Sequence, residues 1–258
     1  MKLPHKIKEF IGNSVLTVNK VGQSPSNVYS FERNGEAFFL KSSDIQYAQT
    51  TYSVLREAKM ISWVSDKIKV PELVLYESDM NSEFMITKAV KAQPISNLIL
   101  ESRLWIDLYQ EILNQLKSVS TLSCPFYSDI SSRLLESKLF IDRGLLNQME
   151  DEVESELWGN HQSYLELWQE LDRDRVKEKL IFSHGDITDS NIFIDQFDQF
   201  YFLDLGRAGL ADEFVDIAFV ERCLREDHSI ISANSFLQQL VYDDPQKRLY
   251  FLKLDELN

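Results

Sequence analysis

The chain has 258 residues, of which 44% are hydrophobic and 26% charged, a composition typical of a folded globular protein rather than a disordered one. It contains no run of about 18 or more apolar residues and no secretory signal at its start, so we expect a cytoplasmic protein with no membrane partner. Its two cysteines, Cys124 and Cys223, exclude a disulfide framework and a four-cysteine zinc site.

The charge is strongly negative and unevenly placed. With 41 acidic and 27 basic residues, the net charge is −14. Nucleic-acid-binding proteins usually carry a basic stripe, and none is visible, so we expect no nucleic-acid partner. Residues 1–91 hold 12 basic and 10 acidic groups (+2), whereas residues 92–258 hold 15 and 31 (−16). General solubility would explain this acidity; a cationic substrate bound by the second part is the alternative.

The first part of the chain predicts a small sheet with one helix. Asn34-Gly35 is a strong hairpin signal, and Thr51–Val64 has the apolar spacing of a helix. Segments rich in β-branched or aromatic residues predict strands at Val15–Lys20, Val28–Arg33, Ala37–Lys41, Leu73–Tyr76 and Glu83–Thr87.

The second part is predicted to be mainly helical. We therefore predict an α+β arrangement of two lobes: a small β-rich N-terminal lobe over residues 1–91, a hinge at about 87–92, and a larger, mainly helical C-terminal lobe over 92–258. Junctions of this kind often hold cofactors. Apolar residues spaced by three and four predict helices over Leu104–Val119, Ser132–Leu146, Tyr164–Leu171 and Glu213–Leu224.

A predicted hairpin carries the strongest candidate site. Asn191 lies six residues before Phe197, and Asp204 lies six residues after Asp198. With the turn at Phe197-Asp198, we expect Asn191 and Asp204 to face one another at the open end. Asp186, five residues before Asn191, enters the same end. Two carboxylates and an amide oxygen suit Mg²⁺.

The spacing of these residues favours phosphoryl transfer. That reaction needs a metal on the nucleotide phosphates and a separate carboxylate that accepts a hydrogen bond from the attacking hydroxyl. Asp186-x4-Asn191, followed thirteen residues later by Asp204-Leu205-Gly206, is similar to the catalytic and metal-binding loops of protein kinases. A polar turn flanked by core strands is the alternative interpretation.

A nucleotide site is predicted on the third strand and the first long helix. Alternation puts Phe39 and Lys41 on one face of the strand, where a base would pack on the ring and phosphates would meet the ammonium. Glu57 lies on the apolar stripe of the helix, where a buried carboxylate needs a partner. Lys41 is the candidate partner, and a local pair with Lys59 is the alternative.

Five runs of the sequence have a pattern that is specific to one family: Phe182–Asn191, Leu203–Asp212, Asp216–Phe219, Arg225–Asp227 and Leu254–Leu257. They resemble the aminoglycoside 3′-phosphotransferase family, and most closely the subclass associated with amikacin resistance. The resemblance extends over essentially the whole chain. It implies a protein-kinase-like fold and transfer of the γ-phosphate of ATP to the 3′-hydroxyl of antibiotics of the kanamycin, neomycin and amikacin type, which confers resistance.

The resemblance also implies a role for individual residues. Asp186 matches the catalytic base, and Asn191 and Asp204 match the magnesium ligands. Lys41 is implied to contact the ATP phosphates, with Glu57 orienting it. The other implied nucleotide contacts are Ser24, in a loop without a Walker pattern, Phe39, which would stack on adenine, and the hinge backbone at Thr87 and Ala89.

The implied drug-binding residues are mostly acidic, as a polycationic ligand requires. Each exposed ion pair contributes only about 0–1 kcal/mol, so several must act together. Asn258 stands where a well-studied branch of the family has an aromatic residue, and its carboxylate is the implied contact. The full set is Glu156, Arg207, Arg222, Glu226, Asp227, Glu256 and Asn258.

Three residues near these motifs have structural interpretations. His184 is expected to support the catalytic loop rather than act as a base. Asp216 lies on a predicted helix and is expected to brace that loop through hydrogen bonds. Asp212, just before the same helix, is expected to be its N-cap.

Two other functions remain open from the sequence. A kinase for a different alcohol, such as choline or a macrolide, would use the same motifs, although the acid-rich Asp255-Glu256 favours a polycation. A nucleotide-binding pseudokinase would bind ATP without transferring phosphate, and the complete set of predicted catalytic residues argues against it. We expect a monomer or a weak homodimer.

Overall fold

A computed structural model of the chain describes residues 3–19, 24–146, 157, 159 and 161–258. It contains two compact units: the first is Met1–Leu98 with Asp189–Ala208, and the second is Ile99–Thr188 with Gly209–Asn258. The division falls between residues 98 and 99, where the sequence predicts a lobe boundary between residues 91 and 92, and it also places residues 189–208 with the first unit. In the described part of the chain, no helix is both long and apolar enough to span a bilayer.

A five-stranded antiparallel sheet dominates the first unit, in the order β1-β2-β3-β5-β4. Along the third strand, Phe38 and Leu40 are buried, while Phe39 and Lys41 are half-buried, so the predicted alternation of faces is confirmed. The strands are β1 (Thr17–Asn19), β2 (Asn27–Arg33), β3 (Glu36–Asp44), β4 (Leu73–Ser78) and β5 (Ser82–Lys88).

The turn between β2 and β3 has the conformation that its sequence predicts. Asn34 and Gly35 have φ angles of 53° and 78°, both in the left-handed region that a type I′ turn requires. The hairpin aligns the two strands so that Phe39 pairs with Ser30.

Two helices accompany this sheet: α1 (His5–Ile11) and α2 (Val54–Val64). The hydroxyl of Ser53 caps α2 by accepting a hydrogen bond from the backbone N–H of Arg56. Short 3-10 helices occur at Ile45–Tyr47 and Ile95–Asn97. One apolar core contains Ile7, Ile11, Phe31, Phe38, Leu40, Phe84 and Ile86.

A three-stranded sheet completes the first unit, with the order β6-β8-β9. Ile192 pairs with Phe202, and the N–H of Leu203 donates to the carbonyl of Asn191 at 2.9 Å. Asn191 therefore lies opposite Leu203, and the predicted pairing with Asp204 is wrong by one residue. The strands are β6 (Gln93–Pro94), β8 (Ile192–Ile194) and β9 (Phe200–Phe202).

A longer loop than predicted causes this shift in register. Asp198 has a φ of 58°, and its N–H donates to the carbonyl of Asp195 at 3.1 Å. The Asp195 carboxylate accepts the N–H groups of Phe197 at 2.8 Å and Gln199 at 3.0 Å. The loop therefore contains Gln196 as well as the two predicted turn residues. A left-handed residue closing such a loop is a common hairpin form.

The second unit is mostly helical, with one two-stranded antiparallel sheet of β7 (Leu180–Ser183) and β10 (Gly209–Asp212). The four helices predicted by apolar spacing are confirmed with shifted ends as α3 to α6, whereas α1, α7 and α8 were not predicted. The helices are α3 (Ser102–Ser118), α4 (Ile130–Arg143), α5 (Tyr164–Arg173), α6 (Glu213–Cys223), a π-helical turn (Leu224–His228), α7 (Ile230–Gln238) and α8 (Pro245–Asp255).

The start of α6 confirms a prediction from the sequence. The carboxylate of Asp212 accepts the backbone N–H of Phe214 at 3.0 Å and is the N-cap of the helix. The same carboxylate accepts a hydrogen bond from Lys247 Nζ at 2.7 Å, so α8 is tied to this point as well.

Candidate active site

Three charged side chains of the first unit meet in an ion network. Strand β3 supplies Lys41, helix α2 supplies Glu57, and the loop after β9 supplies Asp204. Lys41 Nζ lies 2.8 Å from Glu57 Oε2 and 2.8 Å from Asp204 Oδ1. The predicted pair of Lys41 with Glu57 is therefore confirmed, and Asp204 is a second partner that the sequence did not indicate.

The two carboxylates of the network differ in exposure. The side chain of Glu57 is 7% exposed and that of Asp204 is 41% exposed. Burial by itself would lower the pKa of Lys41, but the charges of Asp204 and Glu57 raise it well above its usual range. The ammonium group therefore stays charged at neutral pH. Asp204 is the carboxylate that can turn to a ligand, while Glu57 holds the lysine.

The loop that carries Asp204 has an unusual backbone. Asp204 has a φ of 54°, in the left-handed region that residues other than glycine rarely adopt. Two residues later, a Cβ on Gly206 would lie 2.4 Å from the carbonyl oxygen of Thr51. Only glycine fits such a close approach to a neighbouring backbone.

The donor set at the open end of the hairpin suits a hard cation. Asn191 is opposite Leu203 and Asp204 is the next residue, so an amide oxygen and a carboxylate come from the same end. In the described residues, no cluster of three or more His, Cys, Asp or Glu could hold a metal alone. Mg²⁺ commonly takes one or two carboxylates and completes its shell with waters and substrate phosphates.

The predicted catalytic base, Asp186, belongs to the second unit. Gly185, directly before it, has a φ of 78°. The carboxylate of Asp216 accepts the N–H of His184 at 3.1 Å and the N–H of Gly185 at 2.9 Å. The prediction that Asp216 braces this loop is confirmed. His184 is fully buried, as its structural interpretation requires.

Asp216 is a buried carboxylate, only 1% exposed to solvent. Burial raises the pKa of Asp216, and its bond from the Gly185 N–H opposes that rise. Asp186 lies in one unit and the Asn191 and Asp204 pair in the other, so their convergence stays a prediction.

The predicted adenine contacts lie side by side on the large sheet. Phe39 of β3 pairs with Thr87 of β5. The N–H of Ala89 donates to the carbonyl of Ala37 at 2.9 Å. An adenine ring that accepted a hydrogen bond from the Ala89 N–H would have to compete with the Ala37 carbonyl for that donor. The hydroxyl of Ser24 accepts a local bond at 3.0 Å from the backbone N–H two residues on.

The predicted drug-binding residues divide between the two units. Arg207 lies in the first unit, where its Nη2 is 3.5 Å from the hydroxyl of Tyr52. Glu226 and Asp227 are exposed on the π-helical turn of the second unit. Arg222 donates to Asp255 at 3.1 Å, which commits it to a contact within the protein.

The remaining members of this set lie at the end of α8 or outside the described residues. Glu256 is half-buried directly after α8. The side-chain amide of Asn258 donates to Ser137 Oγ at 3.0 Å and to the carbonyl of Leu254 at 2.7 Å. The Asn258 side chain is therefore turned into the protein, and any contact with a drug falls to its backbone. Glu156 lies outside the described residues.

Two residues that support the ion network were not found from the sequence. Glu83 is 3% exposed, and its carboxylate accepts the hydroxyl of Ser53 at 2.7 Å and the N–H of Leu55 at 3.1 Å. It therefore stabilises the N-terminus of α2, where a negative charge is favoured. Arg56 of α2 donates to backbone carbonyls of the Asp204 loop. The sequence offered one signal for the role of Glu83: it is a charged residue within the apolar run that follows Ser82.

Comparisons with known proteins place the chain in a family. A family model described as "Phosphotransferase enzyme family" matches residues 15–248. An aminoglycoside 3′-phosphotransferase of Acinetobacter baumannii is 62% identical over 259 residues, covering 100% of both chains. The solved aminoglycoside-3′-phosphotransferase of type VIII is 22% identical with a TM-score of 0.81, covering 98% of this chain and 97% of that one.

A second solved structure includes ligands. It is an aminoglycoside phosphotransferase of Streptomyces rimosus in complex with ADP and streptomycin, 18% identical with a TM-score of 0.73, covering 97% of this chain and 95% of that one. At this identity the likeness establishes the fold, and the predicted fold class is confirmed.

Proposed function

We propose a function from one premise: the chain belongs to the phosphotransferase enzyme family, within its aminoglycoside 3′-phosphotransferases. It transfers the γ-phosphate of ATP to the 3′-hydroxyl of an aminoglycoside and so confers resistance to the antibiotic. The sequence-based identification of the family and of the enzyme class is confirmed by the full-length relative.

The observation that carries the proposal for the site is the ion network of Lys41, Glu57 and Asp204. A structural salt bridge needs one carboxylate, whereas Lys41 has two, and the more exposed one stands at the open end of the hairpin. In phosphoryl transfer, a lysine held by a helix glutamate neutralises nucleotide phosphates, and an aspartate nearby binds the metal. The network supports both roles.

We assign the transfer step to Asp186. The oxygen of the drug's 3′-hydroxyl attacks the γ-phosphorus, and the bond from that phosphorus to the β,γ-bridging oxygen breaks. ADP leaves with the electron pair of that bond, and the hydroxyl proton passes to the Asp186 carboxylate and then to solvent. Asp216 supports this role by fixing the backbone beside Asp186.

The nucleotide would be held by residues of the first unit. Lys41 neutralises phosphate charge, Phe39 packs on the base, and Ser24 with the backbone of Thr87 and Ala89 completes the contacts. Asn191 and Asp204 would hold Mg²⁺, which neutralises charge on the phosphates when bound. The ADP complex of the Streptomyces rimosus neighbour supports ATP as the donor.

The drug would be held by carboxylates. Glu226 and Asp227 are exposed on the π-helical turn, and Glu256 follows α8. Together with the −16 charge of residues 92–258, they favour a polycation over an alcohol with one positive charge or none, such as choline or a macrolide. Binding should therefore weaken as salt concentration rises. We propose that amikacin is among the substrates and that the enzyme acts in the cytoplasm.

A matched pair of drugs tests this function. Kanamycin B and tobramycin differ only in the 3′-hydroxyl, which tobramycin lacks. We expect ATP- and Mg²⁺-dependent ADP release with kanamycin B and none above background with tobramycin. Asp186→Asn should lower kcat for kanamycin B by about 10²–10⁴-fold. Equal turnover of the two drugs would refute the 3′ position, and full turnover by Asp186→Asn would remove the proposed base.

A further inference from the structure

One segment of the first unit contacts almost every residue of the loop that carries Asp204. Arg56 Nε donates to the carbonyl of Gly206 at 2.7 Å, and Arg56 Nη2 donates to the carbonyl of Ala208 at 3.1 Å. One guanidinium group therefore joins two backbone positions of the loop. Its planar arrangement of donors makes such a double contact possible.

The neighbours of Arg56 hold the residues in between. The backbone N–H of Leu205 is hydrogen-bonded to Glu57. The backbone of Gly206 lies against the carbonyl of Thr51, too close for a Cβ. Residues 51–57 thus form a surface on which the loop rests, and Arg56 is the member that grips it at two points.

The two hydrogen bonds from Arg56 are important because the backbone at Asp204 has a left-handed conformation. Its φ of 54° is unfavourable for an aspartate. Such a conformation persists only where the surrounding contacts over-determine it. The ion pair with Lys41 restrains the side chain of Asp204, but it does not fix the residues that follow. The two bonds from Arg56 supply that restraint.

We propose that Arg56 is a positioning residue for phosphoryl transfer, whose guanidinium group fixes the loop of residues 204–208 so that the Asp204 carboxylate is aimed to receive Mg²⁺ with the nucleotide. The inference rests on the proposed function, because it gives Asp204 the role of metal ligand. It assigns Arg56 no contact with substrate.

The geometry requires an arginine rather than any cation. The two carbonyls are met by two separate nitrogens of one planar guanidinium group, whereas a lysine carries all its N–H donors on a single terminal nitrogen and cannot reproduce that spacing. The proposal therefore predicts a graded series: wild type, Arg56→Lys with a partial defect, and Arg56→Ala with the full defect. Lys59→Ala is the matched control, because Lys59 is an exposed cation on the same helix.

The test measures metal binding apart from turnover. Mn²⁺ is titrated into each protein with ADP present and followed by electron paramagnetic resonance, and ADP affinity is measured separately without metal. We expect Arg56→Ala to weaken Mn²⁺ binding by about 10–100-fold, the usual effect of removing a group that orients a metal ligand. Metal-free ADP affinity and the KM for the drug should change by less than about twofold, while kcat falls with Mn²⁺ affinity. Added guanidinium ion should restore part of the loss in Arg56→Ala, and Lys59→Ala should match wild type.

Each contrary result points to a different error. If wild type does not bind Mn²⁺ with ADP, the proposed role of Asp204 fails. If wild type binds the metal and transfers phosphate while Arg56→Ala behaves like wild type, the inference alone is wrong. If Arg56→Ala weakens metal-free ADP binding and Mn²⁺ binding by the same factor and raises the KM for the drug by that factor too, the variant has general structural damage and the inference is overturned. Full function in Arg56→Lys would refute the need for two separate donor nitrogens. If Arg56→Ala does not fold, the result with Arg56→Lys decides whether the inference holds.

Discussion

The carboxylate predicted to bind the metal and the carboxylate predicted to act as the catalytic base are held in opposite ways. Asp204, in the first unit, is held by charge, because its carboxylate shares the Lys41 ammonium with Glu57. Asp186, in the second unit, lies on a loop that is held through its backbone, because the Asp216 carboxylate accepts the N–H groups of His184 and Gly185 there. One support is an ion network of side chains, and the other is a buried carboxylate bonded to the backbone.

The difference matches what each residue is proposed to do. An ion network can exchange partners, so Lys41 can pass from Asp204 to a phosphate when the nucleotide arrives. The backbone N–H groups that donate to the Asp216 carboxylate are not exchanged for a ligand in this way, so these hydrogen bonds fix the position of the loop with or without ligand. The first unit is therefore organised for a change of partners, and the second for a constant geometry.

Removing the shared cation should have the largest effect. Lys41→Met leaves the carboxylates of Glu57 and Asp204 without their ammonium, and breaking a buried pair in this way costs about 3–5 kcal/mol of unfolding free energy. Transfer should fall by about 10²–10³-fold, the usual effect of losing one donor to the transition state. Urea unfolding and kcat measure the two effects, and Lys59→Met is the control at an exposed position of α2.

The pH dependence of that variant has a definite sign. Burial raises the pKa of Glu57, and Lys41 opposes that rise in the wild type. Without Lys41, the folded variant binds a proton at Glu57 at a higher pH than the unfolded chain does, so the variant gains stability as the pH falls. The stability gap between wild type and Lys41→Met should therefore narrow from pH 8 to pH 4. A gap that widened would contradict this account.

A steric change to the same loop should have an intermediate effect. In Gly206→Ala the new Cβ would lie 2.4 Å from the carbonyl of Thr51, so the loop must move. We expect a loss of about 3 kcal/mol in urea unfolding, with weaker binding of Mn²⁺ and ADP. Gly144→Ala is the comparison, because a Cβ there meets nothing within 4 Å and the residue has an ordinary left-handed conformation, with φ of 64° and ψ of 31°. Equal losses at the two positions would rule out the steric explanation.

Changing the backbone-bonded carboxylate should have the smallest effect at neutral pH. Asp216→Asn keeps one acceptor oxygen and replaces the other by a donor, which costs about 1–2 kcal/mol at pH 7. Because burial raises the pKa of Asp216, the folded wild type binds a proton more readily than the unfolded chain, and its stability contribution grows as the pH falls. The gap between wild type and Asp216→Asn should widen from pH 8 to pH 4, opposite to Lys41→Met. If the stability difference between wild type and Asp216→Asn narrowed over this pH range, the contrast drawn between the two supports would be wrong.

The sheet of the first unit was predictable because its signals are local. The Asn34-Gly35 turn and the alternation of Phe38 and Leu40 with Phe39 and Lys41 each depend on a few neighbouring residues. The α8 helix was missed because Tyr250, Phe251, Leu252 and Leu254 are all buried, which removes the spacing that marks a helix with one apolar face.

The candidate site was predictable in its residue types but not in its register or supports. The motif of Asp186, Asn191 and Asp204 gave the chemistry, while the left-handed Asp198 shifted the hairpin by one residue. No local pattern indicates that Arg56 reaches carbonyls 150 and 152 residues further along the chain. Contacts of that kind follow from tertiary packing alone.

The acidic residues of the second unit differ in how strongly the fold restricts their substitution, and Asp255 is among the restricted ones. It accepts hydrogen bonds from Arg133 of α4 at 3.5 Å and from Arg222 of α6 at 3.1 Å, so one side chain at the end of α8 links three helices. Glu226 and Asp227, by contrast, are exposed. Natural selection by a new antibiotic can therefore alter the exposed pair at little expense to folding, whereas Asp255 is constrained by the architecture before any drug is present.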